Sequence, residues 1–469
     1  MIDTILEIVA WAVLGYFVLS NGFQSLLLGS AVVELRSHRR RTWGEDDTWL
    51  LGSAATPRVT ILAPAYNEAS TVGESVRALL TLSYPNLEIV LVNDGSTDDT
   101  LDVLRRQYDL VAIHPVVRQL VPSEPLRGLY RSRDHPGLTV VDKHNGGKAD
   151  SLNAALNCAT GELVCAIDAD TLIDPEAFLR IVQPFLRRDD VVAVGATIRV
   201  VNGSTVSAGR VVTPRVPRQV LAGIQAVEYL RAFLFGRLGW NRLGGNLIIS
   251  GAFGMFRRDA VVHAGGYLRD TVGEDMELVA RLRRGGGTTR TGQARVTFVP
   301  DPIAWTEVPE SLVTLGRQRD RWQRGLADVL WRHRSAIGNP RAGALGLLVY
   351  PYFVVVELLG PVIEGLGLLA LALSLVTGSV NVPLAVLLFL ACYLWGLLLS
   401  LWAIALHMIT AKELIPLGDV VRLTAFAVVE TFGYRQLTVY WRITGIVKYL
   451  RRRTEWGTMP RSGFRTDPE

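Results

Sequence analysis

Leu138 to Asp174 reads LTVVDKHNGGKADSLNAALNCATGELVCAIDADTLID, and this stretch leaves the chain few folds to choose from. The β-branched run Thr139, Val140 and Val141 predicts a strand, and Gly146, Gly147 and Lys148 form a turn after it. A helical pattern follows through Ala155 and Leu156, and a second apolar run ends in Asp168-Ala-Asp170. Strand, turn, helix, strand and acidic tip in that order predict an α/β fold with a mostly parallel sheet. In such sheets ligands bind outside the carboxyl ends of the strands, so Lys148, Asp168 and Asp170 are expected at one site. A cation beside two carboxylates suits a diphosphate held through a divalent metal, Mg²⁺ or Mn²⁺, because hard oxygens bind these ions.

The rest of the chain has to account for 469 residues and a mean hydropathy of +0.26. The length exceeds one ordinary domain, and the hydropathy calls for membrane spans. A net charge of +5 is modest, and the arginines cluster at segment ends. They point to an anionic membrane face or substrate and not to nucleic acid. Cys158, Cys165 and Cys392 have no metal spacing. Neither a disulfide scaffold nor a zinc site is expected, which suits a reducing compartment.

From Ile5 to about Val33 the chain is apolar enough to cross a bilayer, and Arg36, His38, Arg39, Arg40 and Arg41 follow at once. Charge after the apolar core reads as a retained anchor and places the downstream part in the cytoplasm. Asn21, Gln24 and Ser25 make the later half either an exit segment or a helix packed on others. From Arg58 short strands alternate with amphipathic helices, and Tyr66-Asn67-Glu68 and Asn93-Asp94-Gly95-Ser96 occupy strand-to-helix turns. A carboxylate there can bond a base or ribose, although Asn67, Ser70, Asp94 or Ser96 taken alone reads better as a helix cap. His114 to Pro136 has no clear period and is expected as an edge excursion, with Tyr130, Arg131 and Arg133 in a solvated loop. Gly273 to Glu277 opens a helix, and the basic stretch SLVTLGRQRDRWQRGLADVLWRHR closes the non-membrane part.

Beyond Asn339 the composition turns apolar again. Leu345 to Val376, interrupted at Pro351, Gly360 and Pro361, reads as an interfacial start followed by a crossing helix, and Val382 to Met408 as a second span. Gly418 to Leu450 is amphipathic and carries Arg422, Glu430, Arg435 and Arg442, charges that should face a protein interior, a water-filled path or the interface. Lys448, Arg451, Arg452 and Arg453 should remain cytoplasmic. The expected division is 1–35 anchor, 36–57 connector, 58–338 catalytic domain, 339–450 membrane and interfacial helices, and 451–469 tail.

AYNE, VNDGS, NGGKADSLNAAL, DADT, GED and QRDRW occur in the order and spacing of membrane-embedded, processive members of glycosyltransferase family 2. The sequence resembles the bacterial cellulose, hyaluronan, chitin-oligosaccharide and poly-N-acetylglucosamine synthases from Arg58 to about Gly325. The resemblance implies a GT-A-like cytoplasmic domain, a UDP-sugar donor, a polysaccharide acceptor, and location as a multi-pass protein of the inner cell membrane. It also implies partnership with the lipid bilayer, and with accessory export proteins or further copies of the chain. Carried over residue by residue, Tyr66, Glu68 and Asp94 contact the uridine and Lys148 the diphosphate. Asp168 and Asp170 form the D-x-D pair, with Asp170 the direct metal ligand, and Asp275 beside Glu274 is the catalytic base. Gln318, Arg321 and Trp322 close the donor pocket and hold the terminal sugar. One departure is Gly273 where many relatives have threonine; another is the single clear span before the catalytic part.

Each assignment has a plainer competitor. Glu274, Asp275 and Glu277 would favour any helix N-terminus through its dipole. Asp168 and Asp170 could cap the helix after Pro175, although Asp174 already suits that task. Trp322 could be an interfacial tryptophan, but beside Gln318 and Arg321 on one helical face it reads as a stacking surface for a pyranose. Ser250, Gly251 and Ala252 form a small-residue turn open to an acceptor sugar, or a packing turn.

Overall fold

The computed structural model describes residues 2–42, 47–168, 170–207, 209–286, 294–410 and 415–452. Part of the connector, Ala169 of the D-x-D pair, Arg453 and nearly all of the expected tail 451–469 lie outside these. The chain forms two compact units: a sheet unit of Arg39–Arg215 with Asn246–Val308, and a helical unit of Met1–His38, Val216–Gly245 and Pro309–Met459. These units cut across the expected division at 58–338, because 216–245 and the QRDRW helix group with the apolar helices.

The strands are β1 (Val59–Ala65), β2 (Leu87–Asn93), β3 (Leu110–Ile113), β4 (Leu126–Ser132), β5 (Leu138–Lys143), β6 (Leu163–Ile167), β7 (Leu172–Ile173), β8 (Val191–Val200), β9 (Thr205–Ser207), β10 (Arg210–Thr213), β11 (Phe253–Arg257) and β12 (Arg295–Thr306). Ten of them form one sheet in the order β3-β4-β5-β2-β1-β6-β11-β8-β12-β7, and β9 and β10 make a separate hairpin. The core of the sheet, β5-β2-β1-β6, is parallel, as a strand-turn-helix repeat requires. Its carboxyl ends therefore open on one side. β11 then inserts antiparallel between β6 and β8.

β1, β2 and β5 are almost wholly buried, which is why they read as near-continuous apolar runs without alternation. The helix Lys148–Cys158 packs Leu152, Ala155 and Leu156 into the cluster that holds Val90, Val141 and Val164. Each buried leucine stabilises the fold by roughly 1.5–3 kcal/mol. The helix also ties polar side chains inward: buried Asn153 donates to the carbonyls of Pro122 and Tyr267, and half-buried Asn157 accepts from the amides of Leu120 and Val121. These bonds fasten the 120–125 loop. The expected solvated loop over Tyr130 and Arg131 is instead strand β4, antiparallel to β5. Its alternation was masked by Arg127, Gly128 and Arg131, although β4 lies inside the sheet between β3 and β5.

Among the described residues three helices are long and apolar enough to cross a membrane: Asp3–Thr42, Leu345–Thr377 and Val382–Thr410. The first forms one uninterrupted helix, Ile2–Thr42. Asn21, one of its polar interruptions, donates to the Ala391 carbonyl at 2.6 Å, the mark of a helix packed on a neighbour. Gly418 to Leu450 forms two helices, Leu417–Glu430 and Tyr434–Leu450, parted by Gly433 at φ 79°, a left-handed conformation that favours glycine. Their charges are paired: Arg231 with Glu430 (2.5 Å), Arg435 with Glu364 (2.6 Å) and Arg442 with Glu357 (3.6 Å). All six side chains line a cavity of about 250 Å³ within this unit.

Candidate active site

At the carboxyl ends of β1 and β2 two turns are stitched together. The Asn67 amide donates to Ser96 Oγ (3.0 Å), the Thr97 amide to Asn67 Oδ1 (2.9 Å), and the Glu68 amide to Thr100 Oγ1 (2.9 Å). Asn67 and Ser96 thus join the turns to each other, and the capping positions of the two following helices fall to Thr71 and Asp99. Tyr66 is half exposed at this edge, and Glu68 accepts from the Thr71 hydroxyl at 2.7 Å.

Asp94 follows β2 directly. Its carboxylate is buried and accepts from Lys143 Nζ (2.5 Å), the Gly146 amide (3.0 Å) and the Gly147 amide (2.8 Å). Gly95 lies at φ 66°, and a Cβ there would meet the Asn145 backbone nitrogen at 2.7 Å. The NDGS turn and the NGGK loop are therefore packed backbone to backbone. Lys143 itself is wholly buried and also reaches Asp150 at 2.7 Å. Neither Lys143 nor Asp150 was singled out from the sequence. The sequence offered only a lysine at the end of the run LTVVDK, and a lysine buried there needs carboxylates beside it.

Lys148 begins its helix beyond that loop and stands among three acids. Its Nζ lies 2.6 Å from Asp168 and 3.5 Å from Glu274, and it donates to the Gly251 carbonyl at 3.4 Å. Burial alone would push its ammonium down, yet Asp168, Glu274 and Asp275 outweigh this and raise it above an ordinary lysine. Burial pushes the Glu274 carboxyl up, against the pull of Lys148 and with Asp275 adding to the rise. Glu274 therefore holds a proton to higher pH than an exposed glutamate would. Glu274 and Asp275 open the helix Glu274–Arg281, where the dipole favours negative charge, and Asp275 Oδ1 accepts from the Met276 amide at 2.7 Å. Glu277 is taken up by Arg281 at 2.5 Å.

Gly251 closes this group. A Cβ on it would sit 3.0 Å from Lys148 Nζ and 3.2 Å from Asp275 Oδ2, so only glycine leaves that space open. Ser250 and Ala252 flank it in a turn closed by the Phe253 amide on the Ser250 carbonyl (3.1 Å). A Gly251→Val chain should fold and bind nucleotide yet turn over on the order of 10²-fold more slowly, the cost of ångström-scale misplacement. Initial rates of nucleotide diphosphate release check this.

Gln318, Arg321 and Trp322 lie on the helix Leu312–Arg332 of the helical unit. The Trp322 indole is 43% exposed, enough to offer a ring face. Arg319 stacks on it with Cζ 4.7 Å from the ring centroid, and Arg319 is in turn held by Glu228 at 2.5 Å. The buried Gln318 Oε1 has no hydrogen-bond partner among the described residues.

Among the described residues no three His, Cys, Asp or Glu side chains form a metal-holding group. A divalent ion at the acidic tip would draw on Asp168 and Asp170 and complete its shell with diphosphate oxygens, the usual way Mg²⁺ is held. The residues present fit that mode. Both carboxylates are partly exposed, and the buried hydroxyl of Thr171 next to them has no hydrogen-bond partner among the described residues.

Residues 57–325 match the family model described as "Glycosyltransferase like family 2". The poly-β-1,6-N-acetyl-D-glucosamine synthase of Staphylococcus aureus (strain COL) is 26% identical over 297 residues, covering 63% of this chain and 61% of that protein. Its Staphylococcus epidermidis counterpart is 27% identical over 274 residues, 58% of this chain and 56% of that protein. The match thus spans about three fifths of the length of these relatives. Among solved structures, a mannosyltransferase from Pyrobaculum calidifontis in complex with GDP-Man and Mn²⁺ superposes with a TM-score of 0.58 at 19% identity, covering 97% of this chain and 100% of that one. With the family model spanning more than half of its residues, this chain belongs to glycosyltransferase family 2.

Proposed function

We propose that the chain is a membrane polysaccharide synthase. It transfers a hexose or N-acetylhexosamine from a UDP-sugar, with inversion, to the non-reducing end of a β-linked polymer and passes that polymer outward. The observation that carries this reading is the gathering of Lys148, Asp168, Glu274 and Asp275 around the open backbone of Gly251. A polymer synthase among the relatives supports the acceptor class.

In the reaction Asp275 takes the proton of an acceptor hydroxyl lying over Gly251. The hydroxyl oxygen then bonds to the anomeric carbon as the carbon–oxygen bond to the β-phosphate breaks, and the diphosphate leaves with the electron pair. Lys148 donates to the leaving oxygens, leaving Asp168 as it does so. A divalent ion on Asp170 and Asp168 supplies Lewis-acid stabilisation of the diphosphate when bound. Tyr66 and Glu68 flank the nucleoside. The exposed indole of Trp322, with Gln318 and Arg321 on the same helix, offers a platform for a sugar ring. The ion-paired cavity among the apolar helices provides alternating donors and acceptors suited to a hydroxyl-rich chain. The basic cluster at Arg36–Arg41 supports a cytoplasmic catalytic part at the inner membrane.

Transfer of a single sugar to a lipid or short acceptor is the second reading. It keeps the same residues, and a mannosyltransferase shares the fold along nearly the whole chain, so the fold does not choose between the two. Purified full-length protein in detergent should be given UDP-sugars and GDP-Man with Mg²⁺ or Mn²⁺, and the product sized. Release of UDP together with polydisperse polymer is expected. A product of fixed, single-sugar increment establishes the second reading. Nucleotide binding without release makes the chain a silent scaffold or transporter.

A further inference from the structure

We infer that Glu228, Arg319 and Tyr434 are positioning residues that hold the Trp322 indole ready for an acceptor sugar. The inference rests on the proposed reading of Trp322 as a sugar platform and adds residues that the resemblance leaves without a role. The backbone under Trp322 is already fixed by the packing of Leu312–Arg332 against Tyr434–Leu450. A Cβ on Gly316 would lie 2.8 Å from Trp441 Nε1, and one on Gly445 would lie 2.8 Å from the Asp320 carbonyl oxygen. Beside the tryptophan, buried Gln323 accepts from Arg442 Nε at 2.8 Å and donates to the Leu358 carbonyl at 3.2 Å. The helix is thus held against rotation, and the freedom left to the indole is that of its own side chain.

Arg319 removes that freedom. It lies one turn before Trp322 on the same helical face, and its guanidinium covers the ring with Cζ 4.7 Å from the centroid. The guanidinium is itself held. Its Nη2 donates to Glu228 Oε2 at 2.5 Å and to the Tyr434 hydroxyl at 3.4 Å, and that hydroxyl donates to the same Glu228 oxygen at 2.6 Å. The Arg319 and Glu228 side chains are only 11% and 18% exposed, so water screens the pair little. The stacked guanidinium takes one ring face and leaves the exposed remainder of the indole to a pyranose. Fixing a side chain before its ligand arrives lowers the ordering cost of binding. Glu228 also lines the cavity of the helical unit, so one ion pair fastens the sugar platform to the cavity wall.

Two measurements on the full chain in detergent separate this role from general packing. In protein labelled with fluorotryptophan, the Trp322 fluorine resonance is assigned by its loss in Trp322→Phe. Arg319→Lys keeps the charge but not the planar stack, and it should move that resonance, as should Glu228→Gln. A resonance unmoved in both variants overturns the inference whatever the substrate. For kinetics, nucleotide release from UDP-sugars or GDP-Man is followed against β-linked tetramers of glucose and of N-acetylglucosamine. Arg319→Lys should raise the tetramer KM about fivefold, the scale of ordering one side chain, with kcat and donor KM within about twofold of native. Tyr434→Phe loses only the hydroxyl, should act in the same direction, and serves where Glu228→Gln fails to fold. In a Trp322→Ala background Arg319→Lys should leave the tetramer KM unchanged, because nothing remains to be aimed. An equal rise in that background, a joint rise of donor and acceptor KM, or a lower tetramer KM in Arg319→Lys overturns the inference. A native rate indifferent to both tetramers overturns the sugar-platform reading itself, while the resonance still judges the contact.

Discussion

Asp275→Asn should lower sugar transfer by more than about 100-fold while nucleotide binding persists, because general base catalysis is typically worth roughly 10² to 10⁴. Asparagine keeps an oxygen to accept the Met276 amide, so the first turn of the Glu274–Arg281 helix stays in place. It cannot take a proton from the acceptor. The substitution also removes one of three acids whose charge bears on Lys148, so UDP should bind as well as before or slightly tighter. Glu274→Gln is the comparison. Glu274 is buried and lies 3.5 Å from Lys148, so its loss should disturb donor binding and turnover together. Full activity in Asp275→Asn with loss in Glu274→Gln would move the base to Glu274. The measurements are single-turnover rates and calorimetric affinity for UDP on the same preparations.

How much of this was legible beforehand depended on how far apart the interacting residues lie in the chain. The stretch Leu138 to Asp174 became β5, loop, helix and β6 because its signals are local: a β-branched run gives way to a period of 3.6 across a glycine pair. The parallel topology then fixed which strand ends share a side, so Lys148 and Asp168 were expected together and lie 2.6 Å apart. Glu274 joined them from more than a hundred residues away, and only the resemblance had marked it. Lys143 was missed because its partner Asp94 is 49 residues distant, and nothing in either segment alone marks the pair. Strand β4 was missed because Arg127, Gly128 and Arg131 break the apolar alternation that pattern reading requires. The charges of Gly418 to Leu450 were recognised as needing partners, but partners such as Arg231, 199 residues from Glu430, emerge only from helix packing.

Those partners set the second large effect. Glu364→Leu alone, or Arg435→Leu alone, should destabilise the helical unit by up to about 3 kcal/mol, because removing one member of a largely buried pair strands the other. Arg435 spans two contacts at once: a bidentate bond to Glu364 (2.6 and 3.1 Å) and a bond from Nη1 to the Cys392 carbonyl (2.7 Å). Its loss therefore also frees a carbonyl inside an apolar helix pair. The double change Glu364→Leu/Arg435→Leu should recover most of the stability, since replacing a whole buried pair by apolar side chains is often neutral. Thermal unfolding in detergent, read by intrinsic fluorescence, checks all three variants as one double-mutant cycle. The recovered double variant then tests the cavity's task. It keeps the fold but turns part of the polar lining apolar, so a cavity that conducts polymer should yield shorter chains at an unchanged initial rate of UDP release. An unchanged product length in a fully stable double variant would assign these ion pairs to helix packing alone.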